Sequence, residues 1–293
     1  MRLLALMLAG LVMLPAWGQA LHITDDTGRE LRLDGPARRI VSIAPHVTEL
    51  LFAAGAGDRI VGVDEYSDYP AAARSLPRIG RHSGLDLEAI AALKPDLVIG
   101  WASGNRMPQL QGLERLGIPL YLNEIRSIDD IATSMETFGH ITASAAAGPA
   151  AAALRERIAG LSAHEQAGPR LRVFYQIWHR PLMTINGEHL ISQAVSLCGG
   201  RNVFAALGTL APAIGIESVL LADPEVIIAS GSAADSPSWL QDWRRWPQLA
   251  AVRNDRLVAI PPDIVQRPTP RFLDGVEAIC AALKQARQER SGD

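Results

Sequence analysis

Side chains able to do chemistry are sparse in this sequence, and the ones that cluster are aromatic. Tyr66-Ser67-Asp68-Tyr69-Pro70 follows one apolar run, Trp101 follows a second that ends at Gly100, and Trp178-His179 follows a third that ends at Ile177. Read as strands of parallel sheets, these runs deliver rings to the carboxyl edges, where open α/β sheets collect their ligands. A single Trp more often packs under a loop; three at equivalent edges point to a large flat ligand clamped between walls of rings. Catalytic signatures are missing. The chain has no G-x-x-x-x-G-K-[ST], no G-x-S-x-G, no H-E-x-x-H and no G-x-G-x-x-G after a strand. Its seven His, at 22, 46, 82, 140, 164, 179 and 189, form no H-x-H or i, i+4 pair. No catalytic residue and no metal site is assigned, and the weight falls on binding. Trp239, Trp243 and Trp246, spaced by four and three, share a helical face and are expected in the core, with Arg244 and Arg245 on a solvated face.

The elements that carry these rings are legible in the repeats. Asp86 to Gly100 recurs as Gly215 to Ala229, offset by 129 residues. In each copy a short helix with an acidic residue near its start stops before a Pro and leads into a strand covered on both faces. Strands at Arg39–Ile43 and Ile60–Val63 flank a helix from Thr48 to Ala54 closed by Gly55. Pro119–Asn123 ends the first sheet, and Ser127 caps a helix carrying Ile128, Ile131 and Met135 on one side. The second lobe begins with Leu171–Ile177 and ends with Leu257–Pro261 and a helix from about Arg271. The fold class is α/β, with two lobes, each a mainly parallel sheet flanked by helices, joined by a single long helix. The expected divisions are a signal peptide over 1–20, an N-terminal lobe with a leading hairpin over 21–142, a connecting helix over 143–166 and a C-terminal lobe over 167–293. The alanine-rich connector contains Gly148-Pro149, so its helix either starts near Pro149 or kinks there.

With 28 basic and 31 acidic residues the formal charge is -3, and no basic stripe of the kind that binds nucleic acid is present. Apolar residues at 48% and charged ones at 20% match a soluble globular protein. Arg2, the apolar run Leu3–Leu14 and the small residues Gly18 and Ala20 read as an export signal, because a run that short falls below the roughly 20 residues a spanning helix needs. In an oxidising compartment the pair Cys198 and Cys280 favours one disulfide over free thiols, and metal binding by two Cys without nearby His is the poorer alternative.

Taken together, these segments resemble the periplasmic cobalamin-binding proteins of ABC importers, in the class whose lobes are joined by one helix. The resemblance rests on Arg39-Ile40-Val41-Ser42-Ile43-Ala44-Pro45 with Thr48-Glu49-Leu50, on Tyr66 to Pro70, on Leu93 to Ile99 with Trp101 and Gly104-Asn105, on Cys198-Gly199-Gly200 with Asn202 and Phe204, and on Asp263-x-x-x-Arg267-x-Thr269-Pro270-Arg271. It implies a monomeric periplasmic solute-binding subunit that captures a corrinoid as transported ligand, without a resident cofactor, and delivers it to an inner-membrane permease. Tyr66, Trp101 and Trp178 would line the pocket, with Asp263 and Arg267 reaching it from the second lobe. Glu88 and Glu217 would dock on the permease, and Cys198 and Cys280 match the family's disulfide. Two departures stand out: His82 and Ala211 occupy positions where the pattern has a Trp. His82 is expected as a polar pocket wall, the alternative being a ligand to a haem or corrinoid metal. Haem or ferric-siderophore capture is the alternative within transport. An exported enzyme or metal-insertion protein on the same fold is the alternative outside it.

Overall fold

The computed structural model describes residues 20–81, 84–162, 169–230 and 238–291. Apart from Ala20, the expected signal peptide lies outside the described residues, and so does His82.

The chain opens with an antiparallel hairpin, β1 (Leu21–Thr24) and β2 (Glu30–Leu33). Its turn is set by Asp25, whose Oδ1 accepts from the amides of Thr27 and Arg29, both at 3.0 Å, and by Gly28 at φ +87°. Next come β3 (Ile40–Ser42), α1 (Pro45–Ala53) and β4 (Ile60–Val63). Pro45 suits the first turn of α1 because no intrahelical partner exists there for the amide it lacks. A two-residue hairpin, β5 (Gly80–Arg81) and β6 (Gly84–Leu85), precedes α2 (Leu87–Ala92), β7 (Leu97–Trp101), α3 (Met107–Arg115) and β8 (Leu120–Asn123). The sheet order is β4-β3-β7-β8, all parallel. Helix α4 (Ile128–Thr142) starts on a capping box in which Ser127 and Asp130 satisfy each other's backbone amides.

The connector is α5 (Ala147–Ser162), with Pro149 in its first turn. The helix starts near Pro149, one of the two openings expected, after Ala143, at φ 52°, ends α4 and a turn separates the two helices; residues 163–166 of the expected connector lie outside the described residues. Helices α4 and α5 pack closely at Gly139, where a Cβ would collide with that of Ala147. Neighbouring arginines of α5 then reach in opposite directions. Arg155 pairs with Asp129 and Glu136 of α4, and Arg157 pairs with Asp274 and Glu277.

The second lobe holds β9 (Leu171–Gln176), the hairpin β10 (Trp178–His179) and β11 (Leu182–Met183), α6 (Leu190–Leu197), β12 (Gly200–Asn202), α7 (Ile216–Ala222) and β13 (Val226–Ser230). After α8 (Ser238–Gln241) come α9 (Ala250–Arg253), β14 (Leu257–Ile260), α10 (Pro262–Val265) and α11 (Phe272–Ser291), which carries Asp274 and Glu277. Its sheet order is β12-β9-β13-β14, again all parallel. Counted within each lobe, both sheets therefore run second, first, third, fourth, and the repeated segments α2–β7 and α7–β13 occupy equivalent places. Leu97–Gly100 and Val226–Ala229 are buried throughout, as expected of strands covered on both faces.

One continuous apolar cluster runs from Val47, Leu50 and Leu51 of α1, through Phe138 of α4 and Ala151 and Leu154 of α5, to Val195 of α6 and Ile279 and Leu283 of α11. The lobes are thus two sheets on a shared helical spine. The Cys198–Cys280 disulfide, spanning 82 positions, ties the end of α6 to α11. Trp243 is core, as expected: it is buried against Phe174 at 5.6 Å and donates from Nε1 to Gln176 Oε1 at 2.7 Å. The three tryptophans do not share one continuous α-helix, however, because α8 gives way to a 3-10 turn at Asp242–Arg245.

Candidate ligand cleft

An ion cluster joins segments that follow the carboxyl ends of β3 and β4 in the first lobe to the segment that follows β14 in the second. Glu49 of α1 has a carboxylate only 2% exposed. Arg271 grips it twice, from Nε at 2.9 Å and Nη2 at 2.7 Å, and Arg267 donates to it from Nη1 at 3.1 Å. Both arginines come from the second lobe, in the loop between α10 and α11. The same Arg267 nitrogen reaches Asp68 at 2.5 Å and holds its carboxyl below the usual carboxylate range. Arg271 also lies 3.8 Å over the Tyr69 ring, a cation–π contact. Arg267 and Asp68 thus belong to an interlobe clasp, while Asp263, on the first turn of α10 and paired loosely with Arg267 at 3.8 Å, stays exposed.

The loop that presents Tyr66 is anchored from below by a hydroxyl chain. Thr48 Oγ1 lies 2.8 Å from Ser42 Oγ and 2.7 Å from Ser67 Oγ, which donates to Asp64 Oδ1 at 2.5 Å. The other Asp64 oxygen accepts from the Tyr66 amide at 3.1 Å, and Arg78 donates to the carbonyls of Asp64 and Ser67. Burial pushes the Asp64 carboxyl up, against those hydrogen bonds. Above this polar floor Tyr66 is 47% exposed. Trp101, at the end of β7, is 38% exposed, and Trp178, just past β9, is 54% exposed. Trp178 donates from Nε1 to the Arg180 carbonyl at 3.1 Å and leans on His179, which stacks on Trp239 with ring centroids 5.5 Å apart and planes 8° apart. Trp239 packs partly buried against the core cluster that holds Trp243, as expected, and through His179 also links that core to Trp178.

Glu88 and Glu217 sit in the first turns of α2 and α7, both exposed and neither paired with a described residue. A crossover helix runs antiparallel to the strands it joins, so these turns lie toward the carboxyl edges. Among the described residues no group of three or more His, Cys, Asp or Glu is placed to hold a metal ion, and no helix is long and apolar enough to cross a membrane. Sequence reasoning missed the roles of Glu49, Tyr69 and Arg271. The available signal was a carboxylate inside the apolar run of α1 and two arginines four positions apart.

Residues 40–264 match the model of a family described as periplasmic binding protein. The chain is 41% identical over 256 residues to the vitamin B12-binding protein of Vibrio cholerae, spanning 87% of this chain and 92% of that one. It is 34% identical over 248 residues to the vitamin B12-binding protein of Yersinia pestis, spanning 84% and 86%. The crystal structure of the periplasmic vitamin B12 binding protein BtuF of Vibrio cholerae superposes with a TM-score of 0.79 at 40% identity, over 86% of this chain and 98% of that one. The periplasmic heme-binding protein RhuT from Roseiflexus superposes with a TM-score of 0.73 at 24% identity, over 85% and 99%, which is a likeness of fold. Two equivalent parallel sheets on one helical spine, matched along nearly the whole described chain, make this protein a member of the periplasmic binding protein family.

Proposed function

We propose that this protein captures cobalamin or a related corrinoid in the periplasm and delivers it to an inner-membrane ABC permease, making and breaking no bond. The observation that carries this reading is the exposure of Tyr66, Trp101 and Trp178 at or just past the carboxyl ends of strands in both lobes, combined with the 41% identity to a vitamin B12-binding protein. Apolar burial at about 25 cal/mol per Å² suits a large rigid ligand with two flat faces. Asp263, exposed beside the clasp, supplies a polar contact from the second lobe, and Arg267 serves both the clasp and the pocket rim. Glu88 and Glu217, exposed and near the carboxyl edges of their lobes, dock on basic groups of the permease. The working units are residues 21–142 and 167–293 about a connector over 143–166, acting as a monomer after removal of 1–20. With a shared core and an ionic clasp joining the lobes, the opening motion is small.

Titration calorimetry with cyanocobalamin, run beside haem and a ferric siderophore, tests this directly. Saturable binding of the corrinoid alone is expected, and saturable binding of haem alone overturns the reading. Reversing both Glu88 and Glu217 to Lys should abolish stimulation of the permease ATPase and leave the corrinoid Kd unchanged. A changed Kd removes the docking role.

A further inference from the structure

Trp101 is held more tightly than a ring at a strand end needs to be. Its amide donates to Asn105 Oδ1 at 2.6 Å and its carbonyl accepts from the Asn105 amide at 3.0 Å, while Asn105 Nδ2 donates to the Ile43 carbonyl at 3.0 Å. The backbone at 101–105 is therefore clamped to the exit of β3. Next to it the Ala102 amide donates to the Asn123 carbonyl at 3.0 Å, and Ser103 bonds Glu124 from both its amide and its hydroxyl. Two further residues act on the ring itself. A Cβ at Gly104 would fall inside the indole, against Cε3, Cδ2 and Cζ3, so the ring lies where only glycine leaves room. On its other contact, His46 of α1 meets the indole edge-on, with centroids 5.3 Å apart and planes at 83°.

His46 is itself buried, and its support continues downward. Its Nε2 and Asn123 Oδ1 each lack a hydrogen bond of full geometry, and the two side chains interact with one another. Asn123 Nδ2 donates to Asp26 Oδ2 and Ser134 Oγ, at 2.8 and 2.9 Å. The first hairpin's turn and α4 thus hold Asn123, the β8 residue against the histidine that meets the ring. Burial holds its imidazole neutral, with a pKa of about 4, so the edge offered to Trp101 carries no charge at neutral pH.

We infer that His46 and Gly104 are positioning residues that set the Trp101 indole in one orientation as a preformed wall of the ligand cleft. This rests on the proposed function, because it gives Trp101 a ligand to face. Ordering the ring in advance removes a rotamer-entropy cost from binding.

A double-mutant cycle with cyanocobalamin in calorimetry tests the inference. Gly104→Ala introduces no left-handed strain, since Gly104 is not among the positive-φ glycines, and it should weaken binding about tenfold, the size of one ring contact. In a Trp101→Ala background the same substitution should change Kd less than twofold. His46→Leu should behave likewise, and if it fails to fold, Gly104→Ala alone decides. Near-UV circular dichroism should lose the Trp101 band in Gly104→Ala while the melting temperature holds. An unchanged Kd for Gly104→Ala with a weakened Trp101→Ala refutes positioning and leaves the site standing. An unchanged Kd for Trp101→Ala refutes both. An equal loss in the two backgrounds means that Gly104 acts by another route, and overturns the inference.

Discussion

Trp101 in the first lobe and Trp178 in the second both emerge at the carboxyl end of a parallel strand, both are more than a third exposed, and each has a histidine ring against it. Their foundations differ. Trp101 ends a four-residue parallel register with β8, lies over Gly104 and rests on a buried histidine of α1. Trp178 stands on a two-residue hairpin, bonds its own local backbone at Arg180 and leans on the adjacent His179 at a tilt of 44°. The first wall is fixed by the sheet beneath it; the second is fixed by its neighbours in sequence and by one stack on Trp239. Duplicated topology therefore does not produce duplicated rigidity, because rigidity depends on what packs behind a ring and not on which strand presents it.

The largest expected effect separates the lobes by their cross-link. Cys198→Ser with Cys280→Ser should cost about 4 kcal/mol, the loop-closure value for a bridge of this span, and thermal unfolding should fall accordingly. Hydrogen exchange should rise first in α6 and β12, with β3 and β7 still protected. Equal loss in both sheets would show that the shared spine makes one cooperative unit. Glu49→Gln comes next. It leaves two partly buried guanidiniums around a neutral side chain and should destabilise by about 2 kcal/mol, below the value for a fully buried pair because both arginines touch solvent. Chemical denaturation measures it, and no change would reduce the clasp to surface decoration.

Ring truncation sharpens the comparison itself. Trp101→Ala should weaken corrinoid binding about thirtyfold and Trp178→Ala about fivefold, because a preordered ring returns more of its contact energy. The reverse order in calorimetry would mean that the looser wall carries the specificity. The smallest effect is a pH response shared by the lobes. Burial lowers His46 in the first lobe and His189 in the second from the ordinary value of 6.5 to about 4. Between those values the unfolded chain holds protons that the folded chain refuses, so stability is steady above about pH 6.5 and falls as pH drops toward 4. Near pH 5.5 each histidine should cost about 1 kcal/mol. His189→Asn keeps an N-cap acceptor for the Ile191 amide and should flatten half of that slope in a melting series; an unaltered slope assigns it elsewhere.

Much of the fold was legible because its signals are local. The Pro before β7, the Ser127 cap, the turn at Asp26-Thr27-Gly28 and the repeated Leu-Val-Ile and Val-Ile-Ile runs act within a few residues, and each element formed close to where it was expected. The pairing of Cys198 with Cys280 followed from compartment and number. Alanine content marks the connector's helix propensity but not where Ala143 turns the chain back, and the helix start near Pro149 is what Gly148-Pro149 signalled. The positions of Tyr66, Trp101 and Trp178 at strand ends were equally accessible, being set by where an apolar run stops.

What the sequence determined by itself is which residues stand at the carboxyl edges of two equivalent sheets, because that depends on short-range patterning of apolar runs, Pro and caps. Only the tertiary structure decided that Arg267 and Arg271 close on Glu49 from 218 and 222 positions away and that the Trp101 ring lies between His46 and Gly104. Those arrangements arise where desolvated charge and ring volume must be accommodated by whatever the fold brings alongside, and no local pattern records that neighbour.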